Sequence, residues 1–219
     1  MKKFSLILLI ANLSAVTFGQ TLRLDLGTSY SKLDWKYMVY SGEQQYKSPK
    51  MGFAFSAGIE YLQKKYISIT SDLSIYQTGG RYASDEQMNT YDIPSPDKIS
   101  IEYVSIGSNL NFNPINDKIK LQLSFGPRLD YMIGGINKDP LKWVDKYDGI
   151  NKLNWGLTAG IGLYYRLRKC DIGLQAQFIN HMEKLADLKP VIGQSLLRAG
   201  ADAKEQIFIM GASLGYKLR

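Results

Sequence analysis

The sequence predicts an all-β chain, a single eight-stranded antiparallel up-and-down transmembrane β-barrel preceded by a cleavable signal peptide. Three observations predict it. Apolar and polar residues alternate with period two over eight separate stretches, the mark of strands with two unlike faces. One face of those stretches carries Leu, Ile, Phe, Tyr and Trp, and the other Gly, Ser and scattered charges. The connections between stretches alternate between short and long.

The leader comes first. Met1-Lys2-Lys3 is basic, Phe4 to Val16 is mostly apolar, and Thr17-Phe18-Gly19 offers small residues at the cleavage positions. Residues 1–19 therefore read as a secretory signal peptide with the cut near Gln20, and residues 20–219 as the barrel. The apolar run is shorter than the ~20 residues a bilayer-spanning helix needs. No Cys lies near the cut, which argues against a lipoprotein. The rest of the chain has no long apolar run, so a helical membrane protein is excluded.

The strands follow in order. Leu22–Tyr30 sets Leu22, Leu24 and Leu26 against Arg23, Asp25 and Gly27. Met51–Tyr61 alternates Met51, Phe53, Phe55, Ala57 and Ile59 with Gly52, Ala54, Ser56, Gly58 and Glu60. Tyr66–Gln77 opposes Ile67, Ile69, Leu73 and Ile75 to Ser68, Thr70, Asp72 and Ser74. Ile99–Phe112 changes phase: Ile99, Ile101 and Tyr103 give way to Val104, Ile106, Leu110 and Phe112. A β-bulge near Tyr103 that inverts all later side chains is the expected cause. Lys118–Ile133 keeps Leu121, Leu123, Phe125, Leu129 and Tyr131 in one parity across Pro127. Leu153–Leu167 and Asp171–Asn180 continue the pattern, and the last strand runs from Glu205 to the end.

The turns at 63–65, 113–117 and 168–170 are short, whereas 31–50, 78–98, 134–152 and 181–204 are long. Short periplasmic turns and long extracellular loops are the pattern of bacterial outer-membrane barrels, and an even strand count puts both termini in the periplasm. A soluble sandwich or lipocalin-like barrel also alternates, but turns its bulky face inward. A narrow eight-stranded interior suits the Gly-rich face, so the bulky face is assigned to lipid. Tyr61, Tyr66, Tyr103, Trp155, Tyr165 and Tyr216 lie near strand ends, as an interfacial aromatic girdle requires. The net charge of +7 includes Lys2 and Lys3. Basic residues do not cluster with aromatics, so no nucleic-acid partner is expected.

Several of these stretches carry a family resemblance. Ile101-Glu102-Tyr103-Val104-Ser105-Ile106-Gly107-Ser108-Asn109-Leu110 resembles the fourth strand of PorT-like outer-membrane barrel proteins of the Bacteroidetes. Phe125-Gly126-Pro127-Arg128-Leu129-Asp130-Tyr131 resembles their fifth. The Gly-rich Trp155–Gly162 segment and the ending Leu214-Gly215-Tyr216-Lys217-Leu218-Arg219 are similar too. The chain departs from that pattern at Gly107, where Pro is common. The resemblance implies an outer-membrane barrel and a link to protein secretion, without assigning an activity.

Candidate functional residues fall into four groups. Arg23, Asp25, Glu60, Asp72, Lys120, Arg128, Asp130 and Arg166 all fall on the inward face with both signs present. Buried charge is costly unless paired, so they read as a salt-bridged network plugging the lumen. Gly211, Leu214, Tyr216 and Leu218 resemble the C-terminal signal read by the outer-membrane assembly machinery. His181, the single histidine, falls at the outer rim with Glu183 and Ser195 in the same loop, a weak candidate set for a lipid-modifying hydrolase. Asp85, Glu86, Asp92 and Asp97 share a loop that could gather a divalent ion, or bridge through it to lipopolysaccharide phosphates, but reads more simply as a solvated acidic segment. One His and one Cys, Cys170, cannot build a zinc site. No cofactor, metal or catalytic residue is expected. The expectation is a non-enzymatic barrel with a structural, adhesive or accessory role in an envelope complex. Its partners are outer-membrane lipid, lipopolysaccharide, the assembly machinery and other envelope proteins. A narrow passive pore is the first alternative, and a lipid-modifying enzyme using His181 the second.

Overall fold

The computed structural model describes residues 20–37, 48–81, 98–135, 151–188 and 201–218. These form strands β1 (Thr21–Tyr37), β2 (Ser48–Tyr61), β3 (Ile67–Arg81), β4 (Lys98–Asn116), β5 (Ile119–Gly135), β6 (Leu153–Arg166), β7 (Cys170–His181), β8 (Ala186–Leu188) and β9 (Ala201–Lys217). Strands β1 to β7 pair antiparallel in chain order, β7 pairs with β9, and β9 returns to β1. The short β8 lies along the same edge of β9 as β7, opposite Ala201–Ala203, so it continues the β7 wall after a kink. The result is a closed barrel with eight wall strands. No edge is left for another chain to pair with along the closing seam. No described helix is long and apolar enough to cross a membrane. The signal-peptide residues 1–19 lie outside the described residues, as do Asp85, Glu86, Asp92 and Asp97.

The wall forms because strand parity matches two different environments. On the outer face, Leu26 is 69% exposed and Ile106 63%, with Met51, Leu73, Phe125 and Leu174 alongside. Such a continuous apolar band is costly in water and favourable against acyl chains. Tyr66, Trp155, Tyr165 and Tyr216 stand on this face too. The closing seam runs the full length of β1 and β9, from Thr21 opposite Lys217 to Tyr37 opposite Ala201. Gly27 faces Gly211 across it. A Cβ on either would meet the other's Cα at 2.7 Å, so only glycine lets the two strands draw this close.

Strand β4 corrects one expectation. Its parity never inverts: Ile99, Ile101 and Tyr103 point inward, as do Ser105, Asn109 and Asn111 farther along. The bulge sits opposite Tyr103 but on β5, where Gly134 pairs with Glu102 and Met132 with Tyr103, leaving Ile133 as the extra residue. The apparent phase change in the sequence is a change in what fills the lumen, from polar groups to hydrocarbon. Tyr103 is accordingly no girdle residue; its side chain is fully buried.

Candidate functional site: the barrel lumen

At the short-turn end, the interior is organised by one carboxylate. Glu60 on β2 accepts from Arg23 Nε at 2.8 Å and Nη2 at 2.5 Å on one oxygen, and from Lys120 Nζ and Ser68 Oγ, both at 2.5 Å, on the other. Arg23, Glu60 and Lys120 are each 3% exposed or less. Ions so far from water keep their charge only when paired and hydrogen-bonded on several sides, as here. Arg23 Nη2 also donates to Gln122 at 3.2 Å. The Tyr164 ring from β6 supplies a flat face beneath both cations, 4.4 Å from the Arg23 guanidinium and 5.7 Å from the Lys120 ammonium. That ring lies against Gly162 and Gly173, where a Cβ would sit 2.5–2.6 Å from its atoms.

The middle of the lumen holds Asp25 and Asp72. Asp25 accepts from Ser56 at 2.6 Å, and Asp72 from Asn109 at 3.4 Å. They border two cavities of about 20 Å³ each. A space of that size holds about one water molecule.

Beyond them lies a second ionic cluster. Arg128 Nε donates to both oxygens of Asp130, at 3.0 and 3.1 Å, and its Nη2 donates to Ser105 at 2.6 Å. Tyr76 donates to Asp130 at 2.9 Å. His181 bridges two carboxylates, with Nε2 3.1 Å from Asp130 and Nδ1 3.3 Å from Glu205. Glu205 also accepts from Tyr103 and Thr78, both at 2.8 Å. The Tyr76 and Tyr103 rings stack with centroids 5.4 Å apart.

Above this cluster the filling changes to hydrocarbon. Leu33, Ile99, Ile101, Ile179, Leu185, Ala203 and Ile207 point inward and are 3% exposed or less. Leu185 reaches this plug through the kink between β7 and β8, whose backbone is held by Leu185 N donating to Ala203 O and Asn151 N donating to Leu185 O.

The structure thus brings Arg23, Glu60 and Lys120 together, and Arg128 with Asp130, and sets Asp25 and Asp72 between the two groups. Arg166 stands apart. It is at the short-turn mouth, a quarter exposed and 3.8 Å from Asp171, which also pairs with Lys217 at 3.0 Å. Sequence reasoning missed His181, Glu205, Tyr76, Tyr103 and Tyr164 as lumen residues. Inward parity alone would have found Tyr76, Tyr164 and Glu205. His181 corrects the outer-rim placement: its side chain is 3% exposed, inside the barrel. Both of its ring nitrogens face carboxylates, and the hydroxyl within reach of Nε2 is the Tyr76 phenol at 3.4 Å, which itself donates to Asp130. Glu183 is exposed, and Ser195 lies outside the described residues. Among the described residues no group of three or more His, Cys, Asp or Glu could hold a metal ion. Cys170 is a half-buried free thiol at the start of β7. Of the C-terminal group, Leu214, Tyr216 and Leu218 face outward, while Gly211 faces the lumen.

A cavity of about 290 Å³ opens at the short-turn mouth. Lys120 and Glu60 form its floor, and Lys64, Lys65 and Arg166 stand in its walls.

Comparison with known proteins agrees with this architecture. OprG from Pseudomonas aeruginosa, an outer membrane protein, superposes with a TM-score of 0.61 at 10% identity, covering 92% of this chain and 97% of that one. Neisserial surface protein A gives a TM-score of 0.49 at 13% identity, covering 91% and 97%. At these identities the likeness to OprG is one of fold. No curated protein matches the sequence. The sequence does match the outer membrane protein β-barrel domain over residues 18–179, most of its length, and the chain belongs to that family of outer-membrane barrels.

Proposed function

We propose that this chain is a non-conducting, non-enzymatic outer-membrane protein. Its barrel serves as a rigid anchor, and its long loops serve as the working surface of a structural, adhesive or accessory subunit in an envelope complex. The short turns and both termini are placed in the periplasm and the long loops outside, with outer-leaflet lipopolysaccharide around them. The PorT-like strand motifs favour a Bacteroidetes source and a secretion-linked complex. Removal of residues 1–19 on export, and recognition of the last strand through Gly211, Leu214, Tyr216 and Leu218 by the assembly machinery, belong to the same reading.

The observation that carries it is the lumen filling. A conducting pore needs a continuous water column, and here the path is interrupted twice: by the Arg23–Glu60–Lys120 cluster under Tyr164, and by the Ile99–Ile101–Ile179–Ile207 hydrocarbon plug. Burying the plug is favourable at ~25 cal/mol per Å² of apolar surface, so water does not displace it spontaneously. Planar-bilayer recording of the purified barrel tests the proposal. The expected record shows no stable open level; a steady large conductance overturns it. The contacts of His181 with Asp130 and Glu205 favour a structural role for it over the enzymatic alternative.

A further inference from the structure

We infer that the cavity at the short-turn mouth is a binding site for an anionic peptide segment that enters along the barrel axis. Three observations point there. The cavity is the roomiest of those described in the lumen, at about 290 Å³ against about 20 Å³ for each of the mid-lumen spaces. That is enough for one or two side chains and not merely for solvent.

Its lining is strongly positive. Lys64, Lys65, Lys120 and Arg166 contribute cations, and Glu60 is the sole carboxylate in the lining. Glu60 is already consumed by Arg23, Lys120 and Ser68, so it offers little to oppose an incoming anion. Lys64 and Lys65 are exposed on the β2–β3 turn, where they meet a ligand first and steer its approach. Lys120 on the floor is held in place by its bond to Glu60, so it is preorganised.

The walls also have unmet hydrogen-bonding capacity of both kinds. The side-chain oxygens of Asn113 and Asn116 are buried without a hydrogen-bond partner within the chain, and Nε of Arg166 has no hydrogen bond, only the 3.8 Å ion pair with Asp171. Such groups are costly to leave unpaired, and peptide, which carries N–H donors beside C=O and carboxylate acceptors, satisfies donors and acceptors together. Position selects among anions. The cavity lies inside the ring of strands, so the phosphates of lipids packed around the outer wall do not reach it, whereas a chain segment entering the mouth does. With the short turns in the periplasm, as proposed above, the ligand is a periplasmic one.

The test uses the full barrel in zwitterionic detergent micelles, where both mouths are accessible and the membrane orientation does not enter. A fluorescein-labelled peptide of glutamates is titrated by anisotropy, with a glutamine peptide of equal length as control. Saturable binding of the glutamate peptide is expected, weakening with added salt. The double variant Lys64→Gln, Lys65→Gln is expected to weaken it roughly five- to tenfold, the scale of two exposed charge contacts. Both side chains are exposed, so folding is retained, and Arg81→Gln at the opposite end leaves binding unchanged. Equal binding of the glutamine peptide, binding indifferent to the Lys64 and Lys65 changes, or displacement by phosphatidylglycerol in the micelle would each overturn the inference. Conductance plays no part in this readout, so its failure and that of the plugged-barrel reading are separable.

Discussion

From the short turns to the level of Tyr76 the barrel is filled by ions around Glu60 and Asp130, while from Tyr103 to the long loops isoleucine, leucine and alanine predominate, with Ser31, Lys50, Thr78 and Glu205 buried beside them. Each half withdraws its filling side chains from water, with Lys120 and Ile101 both 1% exposed. They do so on opposite terms. An ionic filling is stable only while every charge keeps its partners, so it responds to a single change all at once. A hydrocarbon filling gains by area and packing, so it responds in proportion to the volume removed. The comparison teaches that a narrow barrel can be sealed either way, and that the two seals fail differently.

The largest expected effect breaks the ionic half. Glu60→Gln leaves Arg23 and Lys120 buried without their shared carboxylate, and should destabilise the barrel by ~3–5 kcal/mol. Urea unfolding in lipid vesicles, followed by the mobility of the folded band on a gel, measures it. Replacing all three groups with hydrocarbon (Arg23→Met, Glu60→Leu, Lys120→Met) should restore much of the loss, because no stranded charge remains. If the triple variant is worse than the single one, the ionic half contributes more than mutual neutralisation.

In the hydrocarbon half, Ile101→Ala should cost ~2–4 kcal/mol by opening a cavity in the plug. A second cut, Ile207→Ala, should lower stability further and produce brief conductance events that the intact barrel lacks. At the junction, Tyr76→Phe removes the 2.9 Å donation to Asp130. It should cost ~1–2 kcal/mol, since a buried acceptor loses one partner while Arg128 and His181 remain. Smallest of all, Lys64→Gln with Lys65→Gln should stay within ~0.5 kcal/mol of the parent in the same unfolding assay, as exposed turn substitutions usually do.

The same contrast explains what the sequence disclosed. The outer face was legible because lipid imposes one rule on every strand: Leu24, Phe55, Leu73, Leu110, Leu123 and Leu174 all obey it. Arg23, Glu60, Lys120, Arg128 and Asp130 were legible as inward charges, since parity alone places them. Who pairs with whom was not, because partners such as Glu60 and Lys120 are 60 residues apart along the chain. The upper lumen misled for a different reason. Ile99, Ile101 and Tyr103 are as apolar as the lipid face, so a rule that equates apolar with outward reads them one residue out of phase. His181 was misplaced because the β7 wall resumes as β8 after its kink, which puts the histidine beneath the plug and not at the rim.

The ladder between β1 and β9 spans all 17 residues of both strands. The first and last strands are therefore knitted together over a longer stretch than β1 and β2, which their hairpin joins covalently. Topologically the described backbone is a hoop whose first and last residues, Gln20 and Leu218, are neighbours, the Leu218 amide donating to the Gln20 carbonyl at 2.9 Å. Splicing those neighbours through a brief linker and nicking the polypeptide instead at Lys64–Lys65 would open the hoop elsewhere without removing a single rung, so a circular permutant should reach the same closed shape.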